Sequence, residues 1–133
     1  MTNATPSTQR QTDGLNPVII LESIGELAAD RKAENLVALD LRGVVGYADY
    51  LFICTGRSDR QARAIHDGIH LGMKDRYRLL PRRVEGFSEG RWILLDYLDV
   101  VVHVFTPDTR EHYRLEQLWG EAPHVELALP AVV

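Results

Sequence analysis

Apolar residues recur along this chain with two periods, and the switching between them lays out the elements. Ile20, Leu21, Ile24, Leu27, Ala28 and Arg31 follow at spacings of three and four, which predicts a first helix to about Lys32 with one apolar stripe. Asn16 and Pro17 supply its capping residue and a favoured first helical residue. "ENLVALDL" (34–41) and "YLFICTG" (50–56) are apolar runs with few polar interruptions, as strands covered on both faces are. The Gly-bearing "RGVVGYAD" connects them. Helical spacing resumes from Ser58 to about Tyr77, with Ala62, Ile65, Ile69 and Met73 as the buried stripe. Arg60, Arg63, Asp67 and Lys74 fall on its water-facing side.

A short strand is expected at Arg83–Glu85, before a Gly-rich turn. "RWILLDY" (91–97) and "DVVVHVF" (99–105) then read as adjacent strands with a very tight connection at Leu98. Thr106, Pro107 and Asp108 open a third helix, with Leu115, Leu118 and Trp119 as its apolar side and Gly120 as a left-handed stop. Helix, strand, strand, helix, three strands and a helix make a mixed α/β domain: one sheet of about five strands with helices packed on it. The polar residues 1–15 read as a disordered tail, 16–121 as the domain, and 122–133, with its prolines, as a surface tail.

Composition narrows the function classes. A length of 133 residues suits one domain with one core. The formal net charge of −4 disfavours a protein that lives by gripping phosphate backbones, leaving room only for a local patch. An acidic surface suits a basic partner, because complementary potentials speed encounter and fix register. Cys54 is the single cysteine, so neither an internal disulfide nor a cysteine-rich zinc site is expected. No apolar run is long enough to cross a bilayer, and the start lacks a secretory pattern, so no membrane partner and a cytoplasmic setting are expected.

The candidate chemistry is thin. "CTGRSDRQARAI" (54–65) ends a strand on a glycine and opens a capped helix, the layout of a phosphate-binding turn. A P-loop needs a longer glycine-bracketed loop and a lysine, and a dinucleotide fingerprint needs three glycines. Nucleotidyl transfer needs two carboxylates one residue apart on a strand, whereas Asp96 and Asp99 are three apart. A nucleotide-binding enzyme using the Gly56–Ser58 turn stays the alternative; a Ser58 cap with Asp59 at the positive helix end accounts for the same residues. His66 and His70 share a helix face, but no third metal ligand is marked, and no metal or cofactor is expected. Trp92, Leu94 and Asp96 alternate onto one strand face, and His103 shares a face with Val101 and Phe105. An aromatic beside carboxylates on a strand suits a protein interface as well as a core.

"AENLVALDLRG", "YADYLFICTGRSDRQARAI", "VEG", "RWILLDYLDVVVHVF" and "REHYRLEQLW", in that order, resemble the ribosomal silencing factor family, also called Iojap or RsfS. The resemblance spans residues 17–121. It implies a nucleotidyltransferase-like sheet without catalytic carboxylates, and a binding factor in place of an enzyme. It further implies binding to the large ribosomal subunit through ribosomal protein L-fourteen, blocked joining of the small subunit, and reduced translation when nutrients are scarce. Leu98 departs from the Asp-x-Gly-Asp of many relatives, which bears on the turn geometry. With the alternation pattern, the resemblance implies a contact face of Trp92, Leu94, Asp96, Asp99 and His103, joined by Arg110, Tyr113, Arg57 and Ser58. A plain dimerising scaffold, pairing with a second copy of the chain through an open strand edge or face, is the third reading.

Overall fold

Strands β2 (Tyr50–Thr55) and β5 (Val100–Phe105) run parallel, side by side, at the centre of a five-stranded sheet. Both are buried along their whole length, which is what their unbroken apolar sequences require. β1 (Glu34–Asp40) adds antiparallel to β2, β4 (Trp92–Asp96) antiparallel to β5, and β3 (Arg83–Glu85) antiparallel to β4. The order across the sheet is β1-β2-β5-β4-β3, the mixed five-stranded arrangement expected from the pattern. This computed structural model describes residues 15–44 and 46–127. The expected N-terminal tail up to Gly14, and residues 128–133 of the C-terminal one, lie outside the described residues.

Helices α1 (Pro17–Asp30) and α2 (Asp59–Tyr77) pack together over one face of the sheet. Asn16 and Ser58 cap them as predicted, accepting from Val18 N–H at 2.8 Å and Gln61 N–H at 3.1 Å. The stripes of Ile20, Leu21, Ile24 and Ala28 and of Ala62, Ile65, Ile69 and Met73 form the core with Phe52, Cys54, Ile93, Leu95 and Val102. Arg31 does not extend the first stripe. It is the exposed C-cap of α1, and its guanidinium donates to Ala64 O at 2.9 Å. Leu15, assigned to the tail from sequence, packs against this core.

The third helix differs from expectation. Arg114 adopts a left-handed conformation (φ 46°) and splits the segment into α3 (Pro107–Tyr113) and α4 (Leu115–Leu118). Gly120 is not the left-handed residue. The break lets Leu115 and Trp119 turn onto the sheet's second face, while Leu118 is left 72% exposed. Residues past Ala122 then run along β1: Asp40 N–H donates to Pro123 O and Val125 N–H to Ala38 O, both at 2.8 Å. The sheet's other edge is β3, three residues long with Arg83 and Glu85 exposed.

Candidate docking face

The register places side chains on the sheet's second face in cross-strand rows. Leu94 lies opposite His103, which lies opposite Ile53; Asp96 lies opposite Val101 and then Leu51; Trp92 lies opposite Phe105. Neither α1 nor α2 covers this face, because both pack on the other side. The half over β1 and β2 is closed by Leu41, Val44 and Ala48 of the β1–β2 connection together with Leu115, Trp119 and Ala122. Tyr47 from the same connection stacks on Trp119 at 5.4 Å. Over β4 the cover is thinner. Trp92 and Leu94 stay partly exposed, and Tyr47, Leu98 and Tyr113 are exposed around them.

Trp92 anchors the strip. Its ring packs against Phe105 and Tyr113, each at 4.9 Å, and its Nε1–H donates to His103 Nδ1 at 2.8 Å. Indole N–H can only donate, so His103 is neutral and carries its proton on Nε2. That Nε2 is buried without a partner among the described residues. His103 is 3% exposed, and burial pulls its pKa down to about 4.

Asp96 is 4% exposed. It accepts from Leu98 N–H at 2.8 Å and from Arg82 Nε at 3.1 Å, with Arg83 Nη2 at 3.8 Å. Its carboxylate closes the β4–β5 turn, where Leu98 has φ 77°. Glycine adopts such a conformation without the steric cost that leucine carries. Asp99, in the same turn, is partly buried, and burial and the neighbouring Asp49 raise its pKa.

Residues 16–132 match the family model described as "Ribosomal silencing factor during starvation". The chain belongs to this family. It is 43% identical over 113 residues to the ribosomal silencing factor RsfS of Bacillus subtilis, covering 85% of this chain and 95% of the relative. A crystal structure of a Chromobacterium violaceum protein superposes with a TM-score of 0.77 at 29% identity, covering 89% of this chain and 97% of that one. The mouse protein named "Mitochondrial assembly of ribosomal large subunit protein 1" is 28% identical, over 74% of this chain and 44% of its own length.

In this family member the expected contact residues do not form one patch. Trp92, Leu94, Asp96 and His103 share the second face and Tyr113 lies over Trp92, but Asp96 and His103 sit beneath the surface. Alternation gave their face correctly and could not give their depth. Arg110, with its side chain only 13% exposed, is an internal brace. Its Nη1 donates to Asn35 O at 2.8 Å and Thr55 Oγ1 at 2.7 Å, and its Nη2 to Glu116 at 2.8 Å. Burial raises the Glu116 pKa, but the Arg110 bonds outweigh it and hold the carboxyl below its usual value.

Arg57 and Ser58 are engaged at the start of α2, off the strip. Arg57 Nε donates to Glu34 at 2.8 Å and its N–H to Gln61 Oε1 at 2.7 Å. Gly56 N–H donates to Phe105 O, and Gln61 N–H to Ser58 Oγ. These donors of the supposed phosphate turn are used by the protein itself. A Cβ on Gly56 would fall 2.8 Å from Ala62 N, so this glycine serves close packing of strand end and helix. Cys54 is buried, and its thiol is pushed up to about 12 by burial. The alternation pattern does not mark Tyr47, Leu98, Arg82 and Arg83 as site residues. They line a pocket of about 260 Å³ with Leu94 and Asp96, and they sit in loops or at strand ends, where periodicity carries no signal.

Proposed function

We propose that this chain docks on the large ribosomal subunit through ribosomal protein L-fourteen and blocks joining of the small subunit. Translation is thereby reduced when nutrients are scarce. The mechanism is occlusion alone: a small acidic domain covers a surface that the other subunit needs, and no bond is made or broken. The observation that carries the reading is the thinly covered strip over β4, with Trp92 rigidly held and Leu94, Leu98 and Tyr113 open to a partner. Aromatic side chains held in one orientation make good interface anchors, since little of their freedom remains to be lost. The net charge of −4 complements a basic ribosomal protein. Membership of the silencing-factor family and the name of the mouse relative support the large subunit as the partner. The setting is the cytoplasm, where the subunits meet.

The test is co-sedimentation with purified large subunits, followed by addition of small subunits. The protein is expected to sediment with the large subunit and to lower the yield of joined ribosomes. A protein that neither sediments nor changes joining would overturn the reading.

A further inference from the structure

The segment Lys74–Arg83 reads KDRYRLLPRR, five basic residues against one acidic, in a chain of net charge −4. It leaves the last turn of α2, passes through left-handed Arg78 (φ 54°) and enters β3, so one corner of the molecule carries it all. All five basic side chains are exposed, and so is Leu80 among them. Arg76 pairs with Glu26 at 2.8 Å. Arg82 and Arg83 share the single charge of Asp96, and Arg83 also reaches Glu85 at 3.1 Å. Lys74 and Arg78 have no carboxylate partner among the described residues. Counting Glu26, Asp96, Glu85 and the segment's own Asp75, the corner keeps an excess of one positive charge, carried by the unpaired Lys74 and Arg78. It also adjoins the docking strip, because Arg82 and Arg83 line the same pocket as Tyr47, Leu94 and Leu98.

We propose that this corner grips the phosphodiester backbone of ribosomal RNA when the strip is seated on the large subunit. The inference rests on the docking reading above and adds a second class of contact to it. A basic ribosomal protein under the strip would repel a basic flank, since like charges brought together at an interface oppose association. The flank must therefore face an anion, and on that subunit the abundant polyanion is RNA. Arginine suits the contact because its planar fork matches phosphate oxygens and stays charged at any physiological pH. A few such contacts leave the chain's overall acidity intact while making its affinity salt-dependent.

The test uses the full chain, purified large subunits and isolated ribosomal protein L-fourteen, with affinities measured over a monovalent-salt series at fixed magnesium. The double variant Lys74→Gln with Arg78→Gln touches neither the strip nor Asp96. It is expected to bind whole subunits about tenfold more weakly, with a salt slope shallower by about 2, one for each phosphate no longer neutralised. Its affinity for the isolated ribosomal protein is expected to match that of the unsubstituted chain. A photoreactive phenylalanine analogue at position 80 is expected to crosslink to RNA. Unchanged affinity and slope on subunits would overturn the proposal, as would an equal loss on the isolated protein or a crosslink to protein alone. Failure of the unsubstituted chain to bind either target defeats the docking reading itself, a distinct result from failure of the corner.

Discussion

Trp92 and His103 face each other across the β4–β5 ladder, the indole N–H donating to the imidazole at 2.8 Å beneath a strip that is otherwise apolar. The bond requires neutral His103, and burial lowers its pKa from 6.5 to about 4. The unfolded chain therefore binds more protons than the folded one between those values. Stability is full above pH 6.5 and falls as the pH drops toward 4, by about 3 kcal/mol from this group. His103→Gln keeps an acceptor for the indole and removes the titration. Urea unfolding at several pH values is expected to show a flatter slope for the variant across this window, and an unchanged slope would remove His103 as the cause.

Leu98 gives a way to separate stability from docking. Its φ of 77° strains a leucine, so Leu98→Gly is expected to raise stability by about 1 kcal/mol. The same change removes an exposed apolar side chain from the strip, and affinity for large subunits is expected to fall. Thermal melts and sedimentation on one preparation read the two effects, and an unchanged or raised affinity would show that Leu98 does not contact the partner.

Tyr113 is 55% exposed and lies over Trp92. Tyr113→Ala is expected to cost no more than about 1 kcal/mol of stability, the worth of an aromatic pair. Subunit affinity is expected to drop about tenfold, as for an interface anchor. Asp96→Ala behaves differently, because Leu98 N–H and Arg82 lose their shared acceptor and the fold loses about 2 kcal/mol. Any loss of binding by that variant should track its loss of folded protein at the assay temperature.

Arg110 joins α3 to Asn35, Thr55 and Glu116. Arg110→Ala leaves these acceptors unpaired, and chemical denaturation is expected to show a loss of about 3 kcal/mol. The double variant with Glu116→Ala should lose less than the sum of the two single changes, since each already breaks their common bond. Strict additivity would show that the pair is not coupled.

At Gly56, replacement by alanine pushes a Cβ onto Ala62 N and costs about 2 kcal/mol. Ser58→Ala removes the α2 cap for about 1 kcal/mol. Nucleotides with divalent metals are expected to leave the melting temperature of the unsubstituted chain unmoved, and a concentration-dependent rise would revive the turn as a ligand site.

The five strands and both long helices were legible because each rests on a local signal. β2 and β5 are central and their sequences are apolar throughout, whereas α2 begins at a serine cap and keeps one stripe for its whole length. The break at Arg114 had no such signal. A left-handed arginine there is imposed by tertiary packing, as Leu115 and Trp119 find the second face, and Gly120 drew the prediction further along the chain. The burial depth of the expected contact residues was hidden for a related reason. Alternation assigns Asp96 and His103 to a face, but their depth depends on Arg82 and Trp92, which reach them only once the strands are paired.

The short pairing of residues 123–125 with β1 also bears on how the chain is made. β1 emerges early in synthesis, yet its outer row of N–H and C=O groups gains these partners only after Val125 has emerged. Without that pairing, this end of the edge is a template open to any passing strand. Pro123 and Val125 thus act as a late latch, closing a risk that the first strand creates.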